Sequence, residues 1–456
     1  MSPAKTTIKR LILTAFIAGS TQAAIAEPNI LGFSSRVTPQ VGIYIKDLAT
    51  GEVVVDYNST TPLTPASITK SVTSATAILM LGPDFQFETT VGLSGSRSAG
   101  NPAERNGNIV VRASGDPTIG NSHFDSTLAL PDSIAAAISR MGIKSITGTI
   151  DVVETMADPG ELSTWDSSDI VLPYGAGIFG LNYGGNRLVA YPNRGTTEPA
   201  SDLTFTFQQS KRGSSQRRAV GSKNLVVTGT ARNRRNRNWS FTTTNPHPAS
   251  SFAAALRRKL QAADIAIGTS EVKVDDVVTP VYDYYSPSAA EICRSLMKRS
   301  DNMFAEGMLR AFEPEGNRKD CLDTEIACLD ACGINTESAR ILDGSGLTRS
   351  NRFSARFISE VLEFMATTEY SDVYLDCFPV AGIDGTLKSF GCDTDLKGRL
   401  AMKTGSMRAV QTYAGYRLDD NGQPTHVVVV MVNGFTCSRA TLRSHIENFL
   451  LRTFEN

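Results

Sequence analysis

A chain of 456 residues is too long for one compact core, so two or three domains are expected. Apolar content of 41% and charged content of 20% are those of an ordinary globular protein. The formal charge of −1 excludes a whole-chain electrostatic field as the functional device.

The first 26 residues have the pattern of an export signal. Lys5, Lys9 and Arg10 give a positive start, Leu11 to Ala18 is a short apolar run, and Ala24-Ile25-Ala26 is a small-residue cleavage pattern. The run falls well short of the roughly 20 residues of a membrane span. No Cys follows the cleavage point, which argues against a lipid anchor, so a soluble protein in the periplasm or outside the cell is expected.

Val41–Lys46 and Glu52–Tyr57 pattern as two strands of a hairpin joined across 47–51. Ser67 to Leu81 runs without Gly or Pro and is rich in small and apolar residues, a buried helix. From about residue 91 to 267, Gly, Asn, Asp and Ser punctuate short runs such as 108–112 and 146–153, with a helix near Ser133–Met141. This is a β-rich insertion, divided here into two small domains, about 91–192 with 241–267, and 193–240. The core-like pattern returns after 268. Ala289 to Phe312 is one long helical stretch, and Leu396–Met402, Ala409–Arg417 and His426–Val432 have strand character. Leu442–Phe454 closes the chain as an amphipathic helix. Residues 27–90 and 268–456 together make a discontinuous α/β (α+β) catalytic domain.

Two compositional features stand apart. Residues 203–263 contain no acid and twelve basic side chains, from Lys211 to Lys259. Few aromatics accompany them, and an exported protein meets no nucleic acid, so a solvated basic surface or peripheral contact with anionic wall or lipid is expected. Seven cysteines lie in the C-terminal third, an odd number that leaves at least one thiol unpaired. Cys328 and Cys332 have tolerable zinc-ligand spacing, but no His or second pair completes a site, and no metal or other cofactor is expected.

Three triplets carry the chemistry. Ser67-Ile-Thr-Lys70 places a hydroxyl and an amine a little under one helical turn apart, so both point the same way. Burial and the helix N-terminus push that lysine towards the neutral form that can accept a proton. Ser300-Asp-Asn302 offers a hydroxyl to relay a proton and an amide to bind a backbone. Lys403-Thr404-Gly405 offers a cation and a hydroxyl for a carboxylate, with Gly405 keeping the strand clear. Each alone is weak, and Ser295-Leu-Met-Lys298 repeats the first. Their order selects Ser67, because Ser295 is too close to Ser300 to form an opposing wall.

S-x-x-K, S-x-N and K-T-G in this order are the signature of penicillin-recognising serine enzymes. With Ser114-Gly-Asp-Pro-Thr118, Asp343-Gly-Ser-Gly-Leu-Thr-Arg-Ser-Asn351 and Ala381-Gly-Ile-Asp-Gly-Thr-Leu387, the chain resembles the low-molecular-mass class C penicillin-binding proteins, D-alanyl-D-alanine carboxypeptidases/endopeptidases. The resemblance spans nearly all of the sequence after the export signal. It implies an antiparallel sheet flanked by helices and interrupted by inserted domains. It also implies peptidoglycan peptides as substrate and acylation by β-lactams.

The implied roles are Ser67 as nucleophile, Lys70 as base and Ser300 as proton relay. Asn302 would hold the substrate backbone, Lys403 and Thr404 its carboxylate, and the N–H groups of Ser67 and Ser406 the oxyanion. Ser406 stands where the family has Thr. Asp166, Asp169 and Arg349 are candidates for binding a diamino side chain, with loop capping and a surface ion pair as the plainer alternative. A serine β-lactamase and a non-catalytic wall-binding protein of the same fold are the competing functions. The first lacks a convincing Glu-x-x-Leu-Asn segment here, and the second does not explain a complete set of functional side chains.

Overall fold

The computed structural model describes residues 30–32, 39–273 and 278–455; the export segment lies outside them. Outside the insertion the chain forms β1 (Gln40–Asp47), β2 (Val53–Tyr57), α1 (Thr69–Leu81), α2 (Ala289–Arg299) and α3 (Asn302–Arg310). There follow α4 (Arg318–Ala331), α5 (Ala355–Ala366), α6 (Ser371–Asp376), β3 (Leu400–Met407), β4 (Val410–Leu418), β5 (Pro424–Asn433) and α7 (Arg439–Phe454). The five strands make one antiparallel sheet in the order β3-β4-β5-β1-β2.

The sheet is covered on both faces, which is why its central strand reads as an unbroken apolar run. Every residue from Val427 to Val432 of β5 is fully buried. Side chains alternate along a strand, so Val427, Val429 and Met431 pack towards α1 and its neighbouring helices, while Val428, Val430 and Val432 pack under α7. The same alternation governs the edge strand β3. Ala401 belongs to the helical side and Leu400 and Met402 to the α7 side, so Lys403 and Gly405 turn towards α1, and Thr404 and Ser406 turn away.

α1 is buried along most of its length, as its uniform small and apolar composition demands. A 3₁₀ turn at Ala66–Ile68 leads into it, and Gly82 ends it at φ +81°. The stretch read as one helix from Ala289 to Phe312 is two. Ser300 adopts the left-handed conformation (φ +60°, ψ +40°), and the Asp301 side chain then accepts the Phe304 N–H as a new N-cap. The break exposes Ser300 at a corner and starts α3 at Asn302.

Among the described residues the insertion holds four small sheets. Strand Glu88–Leu93 pairs with both Ile109–Ala113 and Thr279–Tyr285, so the return to the catalytic sheet comes after Tyr285, later than residue 268. One apolar cluster combines residues between 91 and 150 and Leu181 with Phe252, Leu256, Leu260 and Tyr284. A second begins at Leu162 and includes Trp165, Ile170, Leu188, Leu225 and Trp239. The second cluster therefore takes in residues of 162–171 and 188–190 as well as of 193–240. Turn chemistry marked the strands but not which core each would join. Buried Arg218 and Glu161 form an ion pair within this unit, so one of the twelve basic residues is a core group. Among the described residues no helix is long and apolar enough to cross a membrane.

Candidate active site

Three segments distant in sequence meet at one end of β3. Lys70 sits one turn into the α1 region, fully buried, and its ammonium has three acceptors. Nζ lies 3.1 Å from Ser67 Oγ, 2.6 Å from Asn302 Oδ1 and 2.5 Å from the Ser345 carbonyl. Burial pushes its pKa down to about 8, against the opposing pull of Asp343, Asp301 and Glu306. A lysine so placed loses its proton far more readily than one in water, and its nearest hydroxyl is that of Ser67.

The second lysine belongs to the strand. Lys403 is fully buried and donates to Ser300 Oγ at 2.9 Å and to the Thr404 carbonyl at 2.7 Å. Burial, reinforced by the charge of Lys70, drives its pKa well below the ordinary lysine value. The charge of Lys70 thus favours the neutral form of Lys403.

Gly405 brings the strand against the turn that carries Ser67. A Cβ there would stand 2.2 Å from Thr412 Oγ1, 2.6 Å from the Pro65 carbonyl and 3.0 Å from the Ser67 nitrogen. Thr412 Oγ1 donates to that same Pro65 carbonyl at 2.7 Å, pinning the turn to β4. Ala66, immediately before Ser67, is held at φ +51°, a strained conformation for a residue with a side chain. Gly346 backs this turn so closely that a Cβ would come 2.0 Å from the Ala66 carbonyl.

Several residues that build the site have no role assigned from the sequence. Buried Asp343 accepts hydrogen bonds from Trp165 Nε1, the backbone N–H groups of Gly346 and Thr348, and Asn351 Nδ2. Those bonds shape the loop whose Ser345 carbonyl receives Lys70. Glu306, paired with Arg318, accepts the Ser345 N–H at 2.9 Å from the other side. The motif around Asp343 is visible in the sequence as a pattern; its scaffolding role is not, because Trp165, which bonds Asp343, comes from the insertion, and Glu306, which bonds Ser345, comes from α3. Asn302 Nδ2 also donates to the Tyr174 carbonyl at 2.7 Å, tying the site to the insertion.

Of the remaining candidates, Thr404 Oγ1 bonds to Thr386 Oγ1 at 2.8 Å, and Ser406 Oγ to Gln411 Oε1 at 2.8 Å. Asp166 accepts from the backbone and hydroxyl of Ser168, which together with Arg349 hold its carboxyl below the usual range. Asp169 accepts from the Tyr174 hydroxyl at 2.8 Å. These two and Arg349 do not line the cleft of about 440 Å³ that opens over Ser67 and Ser300. All seven cysteines are free thiols, and no group of three or more His, Cys, Asp or Glu among the described residues is arranged to hold a metal.

A serine next to a buried lysine, faced by a second lysine–serine pair across the edge of an antiparallel sheet, defines a penicillin-recognising serine enzyme. The profile of the D-Ala-D-Ala carboxypeptidase 3 (S13) family matches residues 30–451, and the chain belongs to that family. The D-alanyl-D-alanine carboxypeptidase DacB of Haemophilus influenzae is 26% identical over 450 residues, covering 91% of this chain and 89% of that protein. Crystal structures of penicillin-binding protein 4 (dacB) from the same organism, one of them complexed with a β-lactam, align with TM-scores of 0.76 and 0.71 at 21% identity. Both cover 91% of this chain and 96% of theirs. The fold class read from the sequence and the enzyme class, a serine-type D-alanyl-D-alanine carboxypeptidase, both stand.

The close approach at Gly405 yields a sharp test. Gly405→Ala displaces β3 from the Ser67 turn and lowers the rate constant for acylation by a fluorescent penicillin by about 100-fold, the scale of a 1 Å misplacement. Acylation within threefold of wild type would show that the strand does not set the nucleophile's position.

Proposed function

We propose that Ser67 attacks the carbonyl joining two D-alanines in a peptidoglycan peptide while Lys70 takes the hydroxyl proton. The Ser67 Oγ–carbon bond forms, the carbon–nitrogen bond breaks, and Ser300 passes a proton to the departing amine. Water then cleaves the ester and regenerates Ser67. The observation that carries this reading is the placement of the Lys70 ammonium 3.1 Å from Ser67 Oγ in a fully buried position.

Around that step, Asn302 holds the substrate backbone and Lys403 and Thr404 donate hydrogen bonds to the terminal carboxylate; the Lys403–Ser300 contact joins Lys403 to the same site. The N–H groups of Ser67 and Ser406 receive the oxyanion. For Asp166 and Asp169 we favour a supporting role. Their bonds to Ser168 and Tyr174 shape the segment that presents the Tyr174 carbonyl to Asn302, and Arg349 adds a positive charge beside it. Two inserted units, each with its own apolar cluster, flank this arrangement.

The protein is read as periplasmic or secreted after removal of residues 1–26. In that compartment the second inserted unit exposes Lys211, Arg212, Arg217, Arg232, Arg234, Arg235 and Arg237, none in an ion pair among the described residues. Peripheral attraction to an anionic wall or membrane surface follows from that charge. Reversing Arg234, Arg235 and Arg237 to Glu weakens sedimentation with isolated cell walls or anionic vesicles at low salt; unchanged sedimentation disposes of the idea.

Two measurements test the catalytic reading. Ser67→Ala abolishes covalent labelling by fluorescent penicillin and release of D-alanine from a pentapeptide; labelling equal to wild type would move the nucleophile elsewhere. Lys70 works as a base only when neutral, so its protonation below a pKa of about 8 suppresses the rate. The acylation rate constant therefore climbs about tenfold per pH unit up to that region and levels off above it. A profile flat from pH 6 to 9 would exclude Lys70 as the base. Rapid nitrocefin turnover without a stable acyl-enzyme would point to a β-lactamase instead.

A further inference from the structure

The cleft over Ser67 continues past the residues assigned so far. Strand alternation turns Thr404 and Ser406, with their cross-strand neighbours Tyr413 and Gln411, onto the face covered by α7. The same cleft runs over that face to Arg439, Ala440 and Arg443 at the start of the helix. Among the described residues no carboxylate lines it, and two guanidinium groups do.

Arg439 is held in place by neutral groups, and Arg443 by a hydroxyl and a long ion pair with Glu447. Arg439 donates to Gln411 Oε1 at 2.9 Å, to the Val410 carbonyl at 3.2 Å and to the Met407 carbonyl, and it makes no ion pair among the described residues. Gln411 Oε1 simultaneously accepts from Ser406 Oγ, so one hydrogen-bonded path joins the residue after K-T-G to the helix. Arg443 donates to Ser389 Oγ at 3.0 Å. Its one acidic neighbour, Glu447, is 3.7 Å away and already accepts the Gly391 N–H at 2.8 Å. Carbonyls and hydroxyls orient a guanidinium without cancelling its charge, and the planar fork then suits a carboxylate.

A single departing D-alanine has one carboxylate, which the proposed reading gives to Lys403 and Thr404. Two further cations beyond them are surplus to that need. We propose that the Arg439–Arg443 end of the cleft is a subsite for a leaving group carrying additional carboxylates, namely the second peptide strand of a cross-link. The subsite rests on the reading of Ser67 as nucleophile and gives the enzyme an endopeptidase preference for anionic cross-linked peptides.

The test compares kcat/KM on a purified cross-linked muropeptide dimer with kcat/KM on a monomeric pentapeptide. In Arg443→Ala the dimer-to-monomer ratio falls about tenfold, the scale of one charge-assisted contact, mostly through KM, and Arg443→Lys restores part of it. Ala440→Glu, which adds a negative charge at an exposed lining position without removing any contact, lowers the ratio in the same direction. A ratio within twofold of wild type in both Arg443→Ala and Ala440→Glu overturns the subsite, as does an equal fall on both substrates. Failure of the wild-type enzyme on both substrates, with no penicillin labelling, would instead overturn the assignment of Ser67.

Discussion

The site depends on keeping one ammonium group out of water. Lys70 is fully buried, and its three acceptors come from three parts of the chain: the 3₁₀ turn before α1, the first residue of α3 and the loop after Ile341. Desolvation makes the cation costly enough that the amine can take a proton from a neighbouring hydroxyl. The acids around it limit that effect, and they also hold the site together. Asp343 and Glu306 both anchor the loop that supplies the Ser345 carbonyl. Electrostatic tuning and loop geometry are thus carried by the same side chains.

The second constraint is the sheet edge. β3 presents Lys403 and Gly405 to the Ser67 turn and Thr404 and Ser406 to the opposite face, a separation that the two-residue period of a strand imposes. The first face does the chemistry proposed for Ser67 and Ser300. The second opens towards α7 and its arginines. One strand therefore divides the groups proposed to react from those proposed to meet the leaving group. The Cβ contacts at Gly405 and Gly346 explain why glycine occupies both positions: backbone must touch backbone where the nucleophile turn is clamped.

The inserted units are more than appendages. The Tyr174 carbonyl bonds to Asn302, and Trp165 bonds to Asp343, so two contacts to the site come from residues within the insertion. Arg187 of the insertion also reaches Asp301 at 3.5 Å. The basic composition of residues 203–263 resolves into distinct uses. Arg218 is buried against Glu161, Lys259 pairs with Asp132, and Lys223 pairs with Asp202. A run that reads as uniform charge in one dimension separates, in three, into structural pairs and a free cationic surface.

Local rules made much of this molecule legible. The hairpin at 41–57, the buried helix after Ser67, the valine-rich strand and the closing helix all follow from periodicity and from the placement of Gly and Pro, which act over a few residues. The three triplets, in their order, identified the residues that meet. What folding alone decided has a common physical origin: each item depends on partners distant in sequence. Ser300 interrupts a helix that propensity would continue, because the corner there brings its hydroxyl to Lys403. Thr279–Tyr285 joins the insertion because it finds an edge at Glu88–Leu93. The acceptors of Lys70, the scaffold at Asp343 and the arginines beyond Ser406 arise only when separate cores pack, and no local pattern encodes which burial a side chain will share.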